Sequence, residues 1–308
     1  MLLALKKMPS RKRRKIQLFC LAMIFILFVA AFSYVPLVGW AIAFMKYRPG
    51  LPLFSQQFVG LNNFKLLFSS GPDIKMILTN TLALSGLTLM AAPVPVIFAV
   101  LLSHLRNKRL SRAVQVVSAL PNYISYVLLY TVFFFLLAPG EGALNVILRM
   151  FYGSEFTSNL LADPRWAWWM QTIAFLFKGM GYTAIIYIAA MTGIDPEQYD
   201  AADVDGAGRF AKVIHVTLPG IAPTFFVLFL LSIANMLSGA GFEQYYVFQN
   251  PMVLSKIEVL DTYIYKVGIQ QSGFGFATAA GMLKSLISIG LLMSANKLSK
   301  LVRGESIF

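Results

Sequence analysis

Five carboxylates crowd into eleven positions of this chain: Asp195, Glu197, Asp200, Asp203 and Asp205. The whole sequence has 13 acidic residues, so this is where its negative charge concentrates. Carboxylates presented together suit an Arg or Lys on a partner, because a charge-assisted hydrogen bond gives both strength and direction. Other chemistry is poorly supplied. His104 and His215 lie far apart in the chain and carry no metal-ligand spacing. Cys20 is the single cysteine, which excludes an internal disulfide or a thiolate cluster. Gly206-Ala-Gly208-Arg-Phe-Ala211 matches the dinucleotide pattern G-x-G-x-x-A. That pattern works only after a strand and inside a βαβ unit, and the segment lies between two membrane spans, so the reading is excluded.

The elements that must position the acidic segment are read from composition. Of 308 residues, 58% are apolar and 13% charged, and the mean hydropathy is +0.69. A soluble fold would leave too much apolar surface in water, so the chain reads as an all-α integral membrane protein. Six stretches are apolar over the roughly 20 residues that a crossing helix needs: Ile16–Met45, Met76–Leu102, Ala113–Ala138, Trp166–Ala190, Gly220–Phe242 and Gly275–Ala295. The net charge of +13 reflects basic loops rather than nucleic acid. Sixteen Lys and Arg residues fall at the termini and in the second-to-third and fourth-to-fifth connections, against eight on the opposite side. This bias places both termini in the cytoplasm. The basic N-terminus precedes an apolar run too long for a signal peptide, and is read as preceding a retained start-transfer helix. The expected organisation is a basic cytoplasmic N-terminus (1–15), a six-helix membrane domain (16–295) and a cytoplasmic tail (296–308). The long outer connections are expected to form folded caps.

The acidic loop therefore sits on the side where basic residues are expected. Asp195 suits an N-cap, Pro196 the first helical position, and Gln198 completes a capping-box pattern. The spacing predicts a helix over Pro196–Asp205 that stops at Gly206. A second short helix, Arg209–Val216, is expected to end before Pro219.

These residues carry a resemblance. Asp200-Ala201-Ala202, three residues, Gly206, nine residues, Val216, one residue and Leu218-Pro219 follow the "EAA" loop pattern of ABC importer permeases, with Asp for Glu and Val for Ile. Val35-Pro-Leu-Val-Gly39, Val59-Gly-Leu-Asn-Asn-Phe64, Asn80-Thr81, Leu120-Pro-Asn-Tyr-Ile-Ser125, Tyr187-Ile-Ala-Ala190 and Gly241-Phe-Glu-Gln-Tyr245 are similar to the carbohydrate branch of that family, which serves oligosaccharide and polysaccharide uptake. The resemblance implies a type I permease fold of the maltose-permease kind in the cell membrane. It also implies a second related permease subunit, two cytoplasmic ATPases that hold ATP and Mg, and an extracellular solute-binding lipoprotein. The permease itself is then no enzyme and binds no cofactor. The segment 195–219 becomes the coupling loop, with Tyr199, Asp200, Ala201, Ala202, Asp203, Gly206, Leu218 and Pro219 as its docking residues.

Counting from that loop, the resemblance places Gly179, Tyr182, Ser232, Asn235, Met236 and Gly239 along a sugar pathway, with Glu243 at its outer mouth. Packing against neighbouring helices is the alternative for these groups. Trp166, Trp168 and Trp169 read as an interfacial belt. Lys178 and Lys284 are charged residues inside spans and need partners there. Two other readings stay open: a non-sugar solute such as a peptide or amino acid carried by the same machinery, or an ion-coupled secondary transporter that relays ions through the two lysines. The second usually shows repeated halves, and none is visible here.

Overall fold

The computed structural model describes residues 10–69, 71–153 and 155–303. Helices apolar on every face are stable where no water competes for their surface. Among the described residues, five helices are long and apolar enough to cross a membrane: Arg14–Phe44, Asp73–Ser103, Ala167–Thr192, Arg209–Ala234 and Phe274–Lys297. A sixth span is counted when Lys108–Tyr123 and Tyr126–Leu137, which meet at 109°, are taken as one. The expected basic N-terminus and C-terminal tail lie partly outside the described residues. The last helix runs Phe274–Arg303, past the expected domain boundary at 295.

The chain divides into two compact units. The first holds the described residues up to Leu67 together with Val267–Met282. Its span is clad in exposed apolar side chains, Phe19, Phe25, Phe28 and Phe32 among them. A two-stranded antiparallel ribbon follows, with Met45 opposite Phe58 and Lys46 opposite Gln57. The Asn63 amide donates to the carbonyls of Ala43 (2.8 Å) and Met45 (3.2 Å), which ties the helix Asn62–Ser69 to the end of the span.

The second unit, Phe68–Lys266 and the described residues from Leu283, is organised along the fourth span, Ala167–Thr192. Its first half packs Ala167, Met170 and Ala174 against Leu129, Phe133 and Phe248. Its second half packs Ala184 and Tyr187 against Val96, Ala99 and Ile221. Between these clusters, Gly181 lets the backbone of the third span approach. A Cβ there would stand 2.1 Å from the Ser118 carbonyl oxygen. Small residues at such contacts are how membrane helices gain van der Waals contact without a hydrophobic driving force.

Two spans differ from the sequence-based expectation. The third is not one helix over Ala113–Ala138. Its first arm tightens into a 3-10 turn at Leu120–Tyr123, around Pro121, which has no N–H and crowds the preceding carbonyls. Ser125 then caps a new helix by accepting the Leu128 N–H at 3.3 Å. The fifth is not confined to Gly220–Phe242 either. It begins at Arg209 and ends at Ala234, so the expected second short helix of the loop is the start of the span. Pro219 does not stop it. Val213–Thr217 form a π-turn, in which the Leu218 N–H reaches back five residues to the Val213 carbonyl, and the widened turn admits the proline ring.

Beyond Ala234 the chain unwinds until Phe242–Phe248 re-forms a helix. Gly239 (φ +54°) and Gly241 (φ +97°) hold left-handed conformations there, which side chains with a Cβ seldom adopt. Exposed backbone polar groups are costly in lipid, and this stretch is paired. Ser238 N–H donates to the Asn235 carbonyl (2.8 Å), Ala240 N–H to the Tyr245 hydroxyl (3.0 Å), and the Ser85 hydroxyl to the Met236 carbonyl. The connection at 139–165 is held by buried Asn145, whose amide donates to the Ala138 and Ser158 carbonyls and accepts the Ser158 N–H at 2.7 Å.

Gly181→Ala is expected to force the third and fourth spans apart at a cost of about 1–3 kcal/mol. A lowered melting temperature of the detergent-solubilised protein, followed by tryptophan fluorescence, would register it. Gly179→Ala, where an added Cβ meets nothing within 4 Å, serves as the control and should not lower the melting temperature.

Candidate functional site

The acidic segment folds as a helix–turn–helix. Its first arm is Pro196–Val204. Asp195 caps it by accepting the Glu197 N–H at 3.0 Å, and Glu197 lies at the positive end of the helix dipole. The expected capping box is replaced by this shorter link; Gln198 contributes only its backbone N–H, to the Asp195 carbonyl at 3.1 Å. The arm closes as a Schellman motif. Gly206 N–H donates to the Asp203 carbonyl (3.0 Å) and Ala207 N–H to the Ala202 carbonyl (2.8 Å), with Gly206 at φ +72°. That conformation is why glycine is needed at this position.

The second arm is continuous with the fifth span, and two contacts brace the first arm to it while a third braces the residue before the cap. The Tyr199 and Thr217 hydroxyls are 3.0 Å apart. Lys212 forms an ion pair with Asp203. Ile194 fills the space a side chain at Gly220 would need, 2.5 Å from where its Cβ would stand. Asp203, expected to face a partner, is thus engaged within the loop. Asp200 and Ala201 are exposed and Ala202 is half-buried. Two apolar side chains stand out beside them, Val204 at 89% exposure and Phe210 at 76%. The resemblance did not point to either. Their signal was an apolar residue closing an otherwise polar helix, and one opening the next arm. Leu218 and Pro219 lie in the first turn of the helix Leu218–Ala234. The arrangement can present carboxylates and apolar knobs on a strut that passes into the membrane without a joint.

The residues expected along a pathway are only partly brought together. Ser232, Asn235, Met236 and Gly239 line one hollow of about 300 Å³, shared with Thr88 and Thr183. Gly179 borders a smaller one of about 100 Å³, whose walls include the same Thr88, Thr183 and Ser232. Tyr182 lies outside both hollows, edge-on to Tyr123 with ring centroids 6.5 Å apart. Glu243 is exposed in the first turn of Phe242–Phe248 and is not among the walls. Ser232 donates to the Leu228 carbonyl and Asn235 to the Leu231 carbonyl, both at 2.9 Å. Ser232 is thereby left with acceptor lone pairs for a solute, whereas Asn235 keeps its carbonyl oxygen and a second amide N–H. Trp168 turns inward: its indole N–H donates to the Lys256 carbonyl at 2.7 Å. Trp166 and Trp169 remain about half exposed.

Residues 91–303 match the family described as the inner membrane component of binding-protein-dependent transport systems. The chain belongs to this family. The inner membrane component described here is 36% identical over 278 residues to the polygalacturonan/rhamnogalacturonan transport system permease protein YteP of Bacillus subtilis (strain 168), covering 90% of this chain and 85% of that one. It is 35% identical over 302 residues to Protein LplB of the same organism, covering 98% and 93%. A chain of the crystal structure of a bacterial alginate ABC transporter, in complex with an alginate pentasaccharide-bound periplasmic protein, superposes with a TM-score of 0.86 at 29% identity. That match covers 96% of this chain and 98% of the other. The fold is that of a type I ABC permease, and the span containing the acidic loop falls inside the family match.

Gly206→Val forces a β-branched residue into a left-handed conformation, at a cost of about 1–2 kcal/mol. Tyr199→Phe removes one arm-to-arm bond, about 1 kcal/mol. Hydrogen exchange followed by mass spectrometry should show loop amides exchanging about fivefold faster in Tyr199→Phe and about 5- to 30-fold faster in Gly206→Val, with the spans unchanged.

Proposed function

We propose that this permease forms half of the path of an ATP-driven importer for an oligosaccharide or polysaccharide, and that its acidic helix–turn–helix receives the stroke of a separate ATPase. The observation that carries the reading is the unbroken helix Arg209–Ala234, which joins the loop to the span that borders the hollow. A closing motor that pulls on the first arm moves the fifth span with it, because Asp203–Lys212 and Tyr199–Thr217 hold the two arms together.

In this reading Asp200 meets a cationic side chain of the motor, Ala201 and Ala202 admit close approach, and Val204 and Phe210 seat in apolar contacts. The loop then faces the cytoplasm with both termini, as the excess of Lys and Arg in its neighbouring segments suggests. ATP and Mg belong to the motor subunits. A second, related permease closes the path, and an extracellular binding protein delivers the solute at the cell membrane. A carbohydrate cargo is supported by two findings. The relative YteP is a polygalacturonan/rhamnogalacturonan permease, and the structural neighbour belongs to an alginate transporter. The hollow suits such a solute, since the Ser232 and Asn235 oxygens can accept its hydroxyl protons beside Met236 and Phe175.

Uptake of the cargo oligosaccharide by cells carrying the complete transporter should persist when an uncoupler collapses the ion gradient and ATP is held constant. Loss of uptake under those conditions would contradict the ATP-driven reading. Reversing one charge, Asp200→Lys, should lower cargo-stimulated ATP hydrolysis of the assembled complex about tenfold, the scale of one charge-assisted bond, with assembly intact.

A further inference from the structure

Lys178 lies midway along the fourth span, where a charged side chain persists only with partners. Its ammonium donates to the carbonyls of Pro121 (3.4 Å), Asn122 (3.1 Å) and Ile124. It also stands 4.7 Å from the centre of the Tyr126 ring, within range of a cation–π interaction. Those three carbonyls belong to the break in the third span, where the 109° bend interrupts the helical hydrogen-bond ladder. An ammonium has three N–H donors, and three carbonyls accept here. The charge also suits the place, because the negative end of the Lys108–Tyr123 helix dipole lies at the break.

The connection continues beyond the third span. The Tyr126 hydroxyl donates to the Ala240 carbonyl at 3.4 Å, and the Ala240 N–H donates to the buried Tyr245 hydroxyl. Ala240 belongs to the unwound segment after the fifth span, the same segment that places Asn235, Met236 and Gly239 at the hollow. One side chain of the fourth span thus ties the interruption of the third to that of the fifth.

We propose that Lys178 is a positioning residue that staples the two interrupted spans together and so holds the hollow in shape. The staple stands on these contacts alone; its consequence for transport rests on the reading of the hollow as the solute path. An ion-relay role would need a nitrogen free to exchange protons, whereas the Lys178 donors are spent on carbonyls and Lys284 is paired with Asp261.

The test uses the complete transporter with Cys20 replaced by Ser. Spin labels go on Val117 and Phe135, exposed at 65% and 70% on the two arms of the third span. A straight helix would set these positions about 27 Å apart, at about 1.5 Å per residue, and the bend holds them well inside that. In Lys178→Met the measured distance should lengthen and its distribution broaden, while Lys178→Arg keeps the narrow native distribution. Transport turnover should fall about tenfold in Lys178→Met and recover in Lys178→Arg. Tyr126→Phe should keep the arm distance and still lower turnover, because it frees only the segment around Ala240. A native, narrow distribution in Lys178→Met would overturn the staple. A shifted distance with unchanged turnover would instead overturn the hollow as the path. Should Lys178→Met not accumulate in the membrane, Lys178→Gln, with fewer donors, should give an intermediate distribution, and a native one there would equally overturn the proposal.

Discussion

The continuity of the acidic loop with the fifth span depends on one helix not breaking at a proline. Pro219 lies where the acidic loop enters the fifth span, and an ordinary α-turn there would be kinked or ended by its ring. The π-turn at Val213–Thr217 absorbs the clash by moving the hydrogen bond of Leu218 back to Val213. The helix Arg209–Ala234 then runs through, and the loop becomes one end of a strut rather than a flexible connection. The contacts around it serve the same stiffness. Asp203–Lys212 and Tyr199–Thr217 join the two arms, and Ile194 packs against Gly220 at the point where the strut passes the end of the fourth span.

At its other end the strut stops at Ala234, and there a second constraint takes over. Hydrocarbon leaves no water to pair an open carbonyl or amide, so every interruption of a membrane helix needs its own partners. The unwound stretch after Ala234 finds them in its own turns, in Ser85 and in the Tyr245 hydroxyl. The break in the third span finds them in Ser125 and Lys178. Irregular backbone at membrane depth is tolerated where it borders a cavity or is buried in protein. The hollow containing Asn235 and Met236 occupies that kind of place. Stiffness in the strut and paired interruptions at its far end are complementary: the first keeps the loop and the fifth span in one piece, and the second borders the cavity.

Much of this was legible in the sequence because it is local. Long apolar runs located the spans. Asp195 and Gly206 marked the two ends of the acidic helix, the first through its short acceptor side chain and the second through its tolerance of positive φ. What was not legible came from tertiary context. Pro121 and Pro219 both follow a leucine inside a helical run, yet one accompanies a right-angle break and the other an uninterrupted helix. The difference lies in which neighbours accept the displaced backbone, Lys178 in one case and a π-turn in the other. The same holds for Asp203, which in sequence is one more carboxylate of the cluster but in the fold is engaged by Lys212, nine residues on. Tyr182 was placed by counting along the chain, and Glu243 by its position at the end of the fifth apolar run. In the fold Tyr182 packs edge-on to Tyr123 and Glu243 opens the helix Phe242–Phe248, both outside the hollow that Ser232 and Asn235 share.

The central claim is that the acidic helix–turn–helix is the seat of the motor. Its most direct test is a photo-crosslinking amino acid at position 204 of the assembled transporter, where the native valine is 89% exposed. The account predicts a covalent adduct with the ATPase subunit, strengthened or weakened when ATP binding closes the motor. An adduct only with lipid, or full reactivity of that position toward a water-soluble reagent in the complete assembly, would contradict it.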